Sequence, residues 1–527
     1  MEYALNIAYI IFLIVTATEL FFMVKWDMQM LQQNSYFNSR YIKWLRTSEE
    51  HITVKRVLTF TAMVMMLVNY VYTNVYNVSI IALVLAGQCV YAAREKHKLP
   101  LVFTARVKRM FTIEMLLILA IIAAVAVSCD LHIAIIIALL ALSFSYAVTI
   151  AVNTMLRPVE KHIANRYISD AKNRLAQMPG LTVIGITGSY GKTSTKHYLY
   201  RILSEKFSVL MTPGSFNTTM GVVRTIREHM EPYNEIFICE MGAKKPGDIR
   251  EICDIAHPRY GIITAVGKQH LETFKSIDNV QSTKFELADA LPADGLVLLN
   301  NDFEYVANRP VSNVPALRYS VNNGEGIDFY ASNIAYSAHG TSFTVNGNGK
   351  ALELTTKLVG ECNISNLIAA VAMAMKLGVE DDKIRYAVSK IEQVEHRLNV
   401  KRSAGGITII DDAYNSNPTG SRMALDVLAG MNTGKRIVIT PGMIELGSEQ
   451  LSLNKAFGEH IAETVDVAII VGQYNREAIV SGITAKGFPK ENLHIVDTLA
   501  QAQQTLATIA QAGDTVLYEN DLPDTFK

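Results

Sequence analysis

The chain has 527 residues with 49 basic and 49 acidic side chains, so its formal net charge is zero. A chain of this length has room for three or four compact units. The even charge balance argues against nucleic acid as a partner. Five scattered cysteines, none in a C-x-x-C pair, suggest neither a zinc site nor a disulfide framework.

Half of the residues are hydrophobic, and the excess lies in the first third of the chain. Five apolar runs fall near Ala4–Val24, Val57–Val75, Val78–Ala92, Phe111–Ser128 and Leu131–Val152. A helix needs ~20 such residues to cross a hydrocarbon core of about 30 Å, and the third run is the shortest. The first run is not a cleavable leader, because Met1-Glu2 gives it no basic start. The connecting loops alternate in charge. Loop 25–56 carries Lys25, Arg40, Lys43, Arg46, Lys55 and Arg56, and loop 93–110 carries Arg94, Lys96, Lys98, Arg106, Lys108 and Arg109. The links Asn74–Asn77 and Cys129-Asp130 carry no basic residue. The positive-inside rule then puts the N-terminus outside and everything after residue 155 in the cytoplasm. Residues 1–155 are thus expected to form an α-helical membrane domain of about five transmembrane helices, followed by a linker at 156–180. Glu19 and Glu114 fall near the ends of their runs and are given no role.

From Leu181 the pattern changes. Short β-branched runs at Leu181–Thr187, Glu235–Glu240, Tyr260–Thr264 and Leu296–Asn300 alternate with helical stretches. That is the sequence form of a parallel sheet flanked by helices. A Gly- and Asn-rich β region spans 317–357, and a helix is expected over Asn363–Leu377. After a boundary near Glu395, a second alternating series runs through Ile407–Asp411, Arg436–Thr440, Val467–Val471, Asn492–Val496 and Thr515–Tyr518. Two α/β domains are expected, 181–395 and 396–527.

The sharpest motif is Gly185-Ile-Thr-Gly-Ser-Tyr-Gly-Lys-Thr193. A strand runs into a glycine-containing loop and then a helix starting near Lys192. Backbone N–H groups at a helix N-terminus suit phosphate oxygens. Gly188 and Gly191 let the backbone come close, Lys192 would reach the terminal phosphates, and the Thr193 hydroxyl would bind Mg²⁺. The common G-x-x-x-x-G-K-[ST] pattern is broken at its first glycine, where Ile186 stands.

The form T-G-S-x-G-K-T-S, here Thr187–Ser194, resembles the phosphate loop of the Mur ligases, and further motifs follow in that family's order. They are Thr212–Val222, Glu240-Met-Gly-Ala243, His270-Leu-Glu-Thr-Phe274, Lys284-Phe-Glu286, Gly360–Asn366, His396-Arg-Leu398, Asp411–Pro418 and Gly442–Gly447. The resemblance covers residues 180–520. It implies a P-loop central domain, a Rossmann-like C-terminal domain and ATP-dependent amide-bond formation. The D-D-A-Y-N-x-N-P and G-M-x-E-L-G forms resemble the D-alanyl-D-alanine-adding branch. The resemblance implies a bacterial protein with a peptide-bearing cell-wall precursor and an amino acid or dipeptide as partners; the apolar runs and their loop charges add the expectation of a multi-pass protein of the cytoplasmic membrane, with the lipid bilayer as a further partner.

Making an amide from a carboxylate needs a better leaving group than oxide, and ATP supplies one as an acyl phosphate. Charge gathering on the transferred phosphoryl group favours Mg²⁺, Lys and Arg over proton chemistry. Glu240, at a strand end, is a hard oxygen ligand suited to Mg²⁺. By resemblance, His270 joins Thr193 and Glu240 as a metal ligand, for what would be two Mg²⁺ ions. Lys284 matches a lysine that many of these ligases carbamylate. Asn366 and Asp412 match positions that hold the base and ribose, and Arg397 an arginine near the γ-phosphate. Thr187, Gly188, Ser189, Gly191 and Ser194 complete the ATP loop, with Lys192, Lys284, His270 and Arg397 as the catalytic set. Asn217, Thr218, Tyr414, Asn415 and Asn417 are candidates for the substrate. Bland readings stand beside several of these: a solvated Glu240, a surface Lys284, a helix cap for Asn366.

Two departures bear on the acceptor. Apolar runs stand where the family has a small UDP-binding domain, and Tyr518-Glu-Asn-Asp-Leu-Pro523 stands where it has a Lys-Gly-Ser-Arg turn. A soluble nucleotide-linked acceptor and a lipid-linked one both remain open. A transporter driven by a P-loop ATPase would leave Asp411–Pro418 and Gly442–Gly447 unexplained.

Overall fold

The computed structural model describes residues 2–49, 52–71, 75–95, 99–128, 131–337, 340–403, 405–414, 416–431 and 433–522. Asn415 and the loop residues Asn74, Lys96, Lys98, Cys129 and Asp130 lie outside the described residues. The chain forms two compact units that divide between Ile163 and Ala164.

The first unit is helical: Glu2–Gln33, Asn38–Thr47, Val54–Val71, Val75–Arg94, Ala105–Ser128, Leu131–Ser143 and the start of Ser145–Ala176. Its interior holds Phe12, Met28, Leu31, Tyr41, Met66 and Leu139. Its long helices also turn large apolar side chains outward, among them Ile10, Ile14, Leu83 and Val127. One polar knot is buried. Arg56 Nη2 lies 2.6 Å from Asp27 Oδ1, which also accepts from Tyr41 at 2.8 Å, and Arg56 Nη1 donates to Ser145 Oγ at 3.0 Å.

Among the described residues three helices are long and apolar enough to cross a membrane, or four if the pair His132–Ser143 and Ser145–Ala176, bent by 75°, is one span. These fall on the expected runs Ala4–Val24, Val78–Ala92, Phe111–Ser128 and, as the bent pair, Leu131–Val152. The remaining run, Val57–Val75, is helical over Val54–Val71, and its residues 72–74 lie outside the described residues. The expected linker is helical over most of its length. Residues 156–176 continue the helix Ser145–Ala176, because Ile168, Ala171 and Leu175 recur at helical spacing and pack into the core of the second unit.

The second unit holds two sheets. The strands of the first are β1 Thr182–Thr187, β2 Val209–Met211, β3 Ile236–Glu240, β4 Tyr260–Ile263, β5 Leu296–Asn300, β6 Ala316–Ser320, β7 Phe329–Ser337, β8 Gly340–Gly347 and β9 Lys350–Thr356. Their order is β2-β3-β1-β4-β5-β6-β7-β8-β9. Pairing is parallel up to β7 and antiparallel from β7 to β9. Both faces are covered. Ile184 and Ile186 of β1 pack with the helix Glu361–Lys376, while Val183 packs with the helices Asp248–Ala256 and Ile277–Ala290 on the other side. After β1 the chain builds β2 and β3 on one flank, then crosses to β4 on the other. The loop leaving β1 therefore opens at a topological switch point, where open α/β sheets hold ligands.

The second sheet has β10 Asn399–Arg402, β11 Thr408–Asp412, β12 Arg436–Thr440, β13 Val467–Val471, β14 Leu493–Val496 and β15 Thr515–Glu519. Their order is β10-β11-β15-β12-β13-β14, parallel except for the edge strand β10. The short strands β2 and β10 are the ones the alternation did not suggest.

Candidate active site

The loop after β1 is shaped by two glycines. Gly191 has φ +79° and caps the helix Lys192–Leu203, and a Cβ there would lie 2.5 Å from Asn366 Oδ1. At Gly188, φ +155°, a Cβ would meet Thr264 Oγ1 at 2.1 Å. No other residue type fits either place without displacing its neighbours. The loop is pinned from β4, since Ser189 N donates to Ala265 O at 2.8 Å and Ser189 Oγ to Gly267 O at 3.1 Å. Thr187 spends its hydroxyl on Met241 O at 2.9 Å. Lys192 Nζ folds back onto Gly188 O at 2.6 Å, and burial pushes its pKa down to about 8. Ser194 is buried in the first turn of the helix.

Glu240, at the end of β3, meets this loop. Its Oε1 accepts from Thr193 Oγ1 at 3.1 Å and from Asn217 Nδ2 at 2.9 Å. Its Oε2 is buried and accepts no well-formed hydrogen bond from the described residues. The nearest cation is Lys196 Nζ at 3.0 Å, which donates to Thr212 O at 2.8 Å and Gly214 O at 2.7 Å. Burial works to raise the Glu240 pKa, but Lys196 and Lys192 outweigh it and hold the carboxyl below its ordinary value. A buried carboxylate kept ionised beside a threonine hydroxyl fits Mg²⁺, which takes one or two protein oxygens and fills its shell from phosphates and water. Among the described residues no group of three His, Cys, Asp or Glu is placed to hold a metal unaided.

His270 does not bond the Thr193–Glu240 pair. Its Nδ1 pairs with Glu445 Oε2, from the loop after β12. Burial lowers the His270 pKa, and the Glu445 carboxylate opposes that. Lys284 is 2% exposed, on the helix Ile277–Ala290. Burial presses its pKa down to about 7, with Lys192 adding to the effect. The surface reading of Lys284 is thereby set aside. Asn366 is no cap either: it sits inside Glu361–Lys376, and its Oδ1 accepts from Thr195 Oγ1 at 3.1 Å.

The C-terminal lobe brings the rest. The Arg397 guanidinium lies 4.3 Å over the Tyr414 ring, and Tyr414 donates to Ser215 Oγ across the lobes. Asp412 accepts from Leu398 N at 3.1 Å. Burial raises its pKa, as it does that of Glu519, with which it shares a hydrogen bond. Glu519 Oε1 accepts from Ser416 Oγ at 2.5 Å. Two of the substrate candidates are helix caps. Thr218 Oγ1 accepts from Gly221 N at 3.3 Å and Asn417 Oδ1 from Gly420 N at 2.9 Å. Thr and Asn before a helix, the latter followed by Pro418, announce this role in sequence. The sequence reading missed Lys196, Glu445 and Glu519. Lys196 had one cue, standing one helical turn beyond Lys192.

The family model for the Mur ligase middle domain matches residues 186–374, and that for the Mur ligase glutamate ligase domain matches 396–518. The UDP-N-acetylmuramoyl-tripeptide--D-alanyl-D-alanine ligase of Escherichia coli is 30% identical over 335 residues, which cover 63% of this chain and 74% of the relative. The chain belongs to the Mur ligase family. Among solved structures, MurF from Acinetobacter baumannii is 27% identical with a TM-score of 0.62, covering 68% of this chain and 77% of that one. MurF from Thermotoga maritima in complex with ADP is 25% identical with a TM-score of 0.60, covering 68% and 80%. The two α/β lobes therefore have the Mur ligase fold, and the protein is an ATP-dependent ligase that forms amide bonds.

Proposed function

We propose that this Mur ligase adds D-alanyl-D-alanine, or a closely related amine, to the terminal carboxylate of a UDP-N-acetylmuramoyl-tripeptide, through an acyl phosphate. The observation that carries the reading is the meeting of loop Thr187–Ser194, Glu240 and Asn366 at one sheet switch point, in a chain related to the D-alanyl-D-alanine ligases. In this reading the loop amides and Lys192 hold the ATP phosphates, and Lys192 swings from Gly188 O to the terminal ones. Asn366 and Asp412 hold the base and ribose. Arg397 meets the γ-phosphate from the second lobe. Asn217 and Tyr414 would meet the acceptor.

Thr193 and Glu240 would hold one Mg²⁺, and His270 with Lys284 a second. Bound there, the ions would neutralise the charge that gathers on the transferred phosphoryl group. Lys284 suits carbamylation. With its pKa pressed down to about 7, the buried amine is uncharged in about half of the molecules at neutral pH and so nucleophilic toward carbon dioxide, and the carbamate would restore an anion beside the metal.

We further assign residues 1–155 to a bacterial cytoplasmic membrane, with the N-terminus outside and the domains 181–395 and 396–527 in the cytoplasm. The outward-facing Ile10, Ile14, Leu83 and Val127 need an apolar surrounding, and the flanking loops are basic. A second reading, a lipid-held acceptor, draws on the same unit, because tethering raises effective concentration at the surface.

The test is product formation by the full-length protein with ATP, offered the nucleotide-linked tripeptide and D-alanyl-D-alanine. A mass increase on the soluble acceptor, lost in Lys192→Ala, is expected. Product formed only with a membrane extract would replace the soluble acceptor by a lipid-held one. No amide product from either source would overturn the assignment.

A further inference from the structure

Segment Gly442–Glu449, the loop that leaves β12, contains the motif Gly442–Gly447, to which none of the chemistry above assigns a task. In the structure it grips segment Lys268–Glu272 of the other lobe at successive points. Lys268 Nζ lies 2.5 Å from Glu449 Oε2. Glu272 N donates to Glu445 O at 3.1 Å. His270 Nδ1 pairs with Glu445 Oε2. Gly447 passes so near that a Cβ on it would lie 3.2 Å from Glu272 N. Both residues of the central pair hold left-handed backbones, φ +52° at His270 and +61° at Glu445. Non-glycine residues adopt that region at a cost and chiefly where the surroundings enforce it.

The pairing has a chemical consequence. An ionised carboxylate only accepts hydrogen bonds, so Nδ1 of His270 must carry the proton. The lone pair of a neutral imidazole then sits on Nε2. A carboxylate behind a histidine in this way fixes the ring's tautomer and orientation for a metal on its far side. Here the carboxylate comes from a different lobe, 175 residues further along the chain.

We propose that Glu445 is a positioning residue that presents His270 Nε2 toward the metal, and that the Gly442–Glu449 clasp makes this presentation depend on closure of the two lobes. The inference rests on the reading of His270 as a metal-facing residue. It adds that the C-terminal lobe completes the metal site without contributing a ligand, so that an open enzyme holds the second ion weakly.

Mn²⁺ is the probe, bound to the full-length protein with a non-hydrolysable ATP analogue and followed by electron paramagnetic resonance. Spin-echo modulation reports a directly bound imidazole nitrogen. In the wild type that nitrogen signal is expected, and His270→Ala removes it. Glu445→Gln keeps the side chain's size but no longer dictates the tautomer. It is expected to weaken the second Mn²⁺ by at least tenfold, to diminish the nitrogen signal, and to lower kcat while leaving the KM for ATP near its wild-type value. Glu445→Asp, which keeps the charge, is expected to recover part of the loss. If His270→Ala changes neither the nitrogen signal nor Mn²⁺ affinity, the metal-facing reading of His270 fails and takes this inference with it. If His270→Ala abolishes the signal but Glu445→Gln leaves affinity, signal and kcat unchanged, the metal reading stands and the positioning role is overturned.

Discussion

Replacing Lys284 with methionine is expected to make the metal-free protein more stable while abolishing its ligase activity. Lys284 lies on the buried face of the helix Ile277–Ala290, with no ion pair or hydrogen bond among the described residues, and burial lowers its pKa from 10.5 to about 7. One pKa unit is worth about 1.4 kcal/mol. At pH 7 the unfolded chain keeps the lysine charged, whereas the folded chain gives up half of that charge or tolerates it at a cost. The penalty works out at about 4 kcal/mol by linkage. The sign follows from proton counts. Between pH 7 and 10.5 the unfolded state binds more protons, so wild-type stability rises with pH and the penalty shrinks to under about 1 kcal/mol by pH 10. Methionine fills a similar volume and does not titrate. Calorimetry of the detergent-solubilised full-length chain, without metal, nucleotide or carbon dioxide, would read the difference. The variant's thermal midpoint is expected above wild type at pH 7, with a gap that closes toward pH 10. A variant less stable than wild type at pH 7, or a gap that ignores pH, would refute the reasoning. Stability gained together with activity lost marks a residue kept for chemistry and not for folding.

Gly191→Ala forces a side chain into a left-handed backbone and to within 2.5 Å of Asn366 Oδ1; calorimetric titration with ADP is expected to show affinity reduced at least tenfold, and unchanged affinity would mean the loop is not the nucleotide cradle. Glu519→Gln can still accept from Ser416 and can donate to Asp412 without a proton to lose. Because the wild-type Glu519 pKa is raised, its stability contribution falls as pH climbs above the ordinary carboxylate range, so the variant's advantage in thermal midpoint is expected to grow from pH 5 to pH 8. Arg56→Ala leaves Asp27 buried without its cation and is expected to destabilise the helical unit by about 3–5 kcal/mol, with Asp27→Asn in the same chain recovering part of that; equal melting of Arg56→Ala and wild type would show the pair to be energetically idle.

Strands β1, β3, β4, β5, β12 and β13, the phosphate loop and the helix carrying Asn366 were legible in the sequence because their cues are local: short β-branched runs between breakers, glycines at fixed offsets, and lysine at the start of a helix. The apolar runs were legible for the same reason, although composition could not foretell that Arg56 would turn inward to Asp27, or that the helix from Ser145 would run on to Ala176. Residue roles were legible only in part. Thr193 and Glu240 do meet, through the parallel register of β1 against β3 that sets Ile186 beside Glu240. The partners of the charged groups were not legible. Lys196 beneath Glu240, Glu445 behind His270 and Glu519 against Asp412 join positions 44 to 175 residues apart. Hydrogen bonds and ion pairs act over about 3 Å and leave no period in a sequence, so only the packing within each lobe and between the two decides which carboxylate a buried histidine or lysine meets.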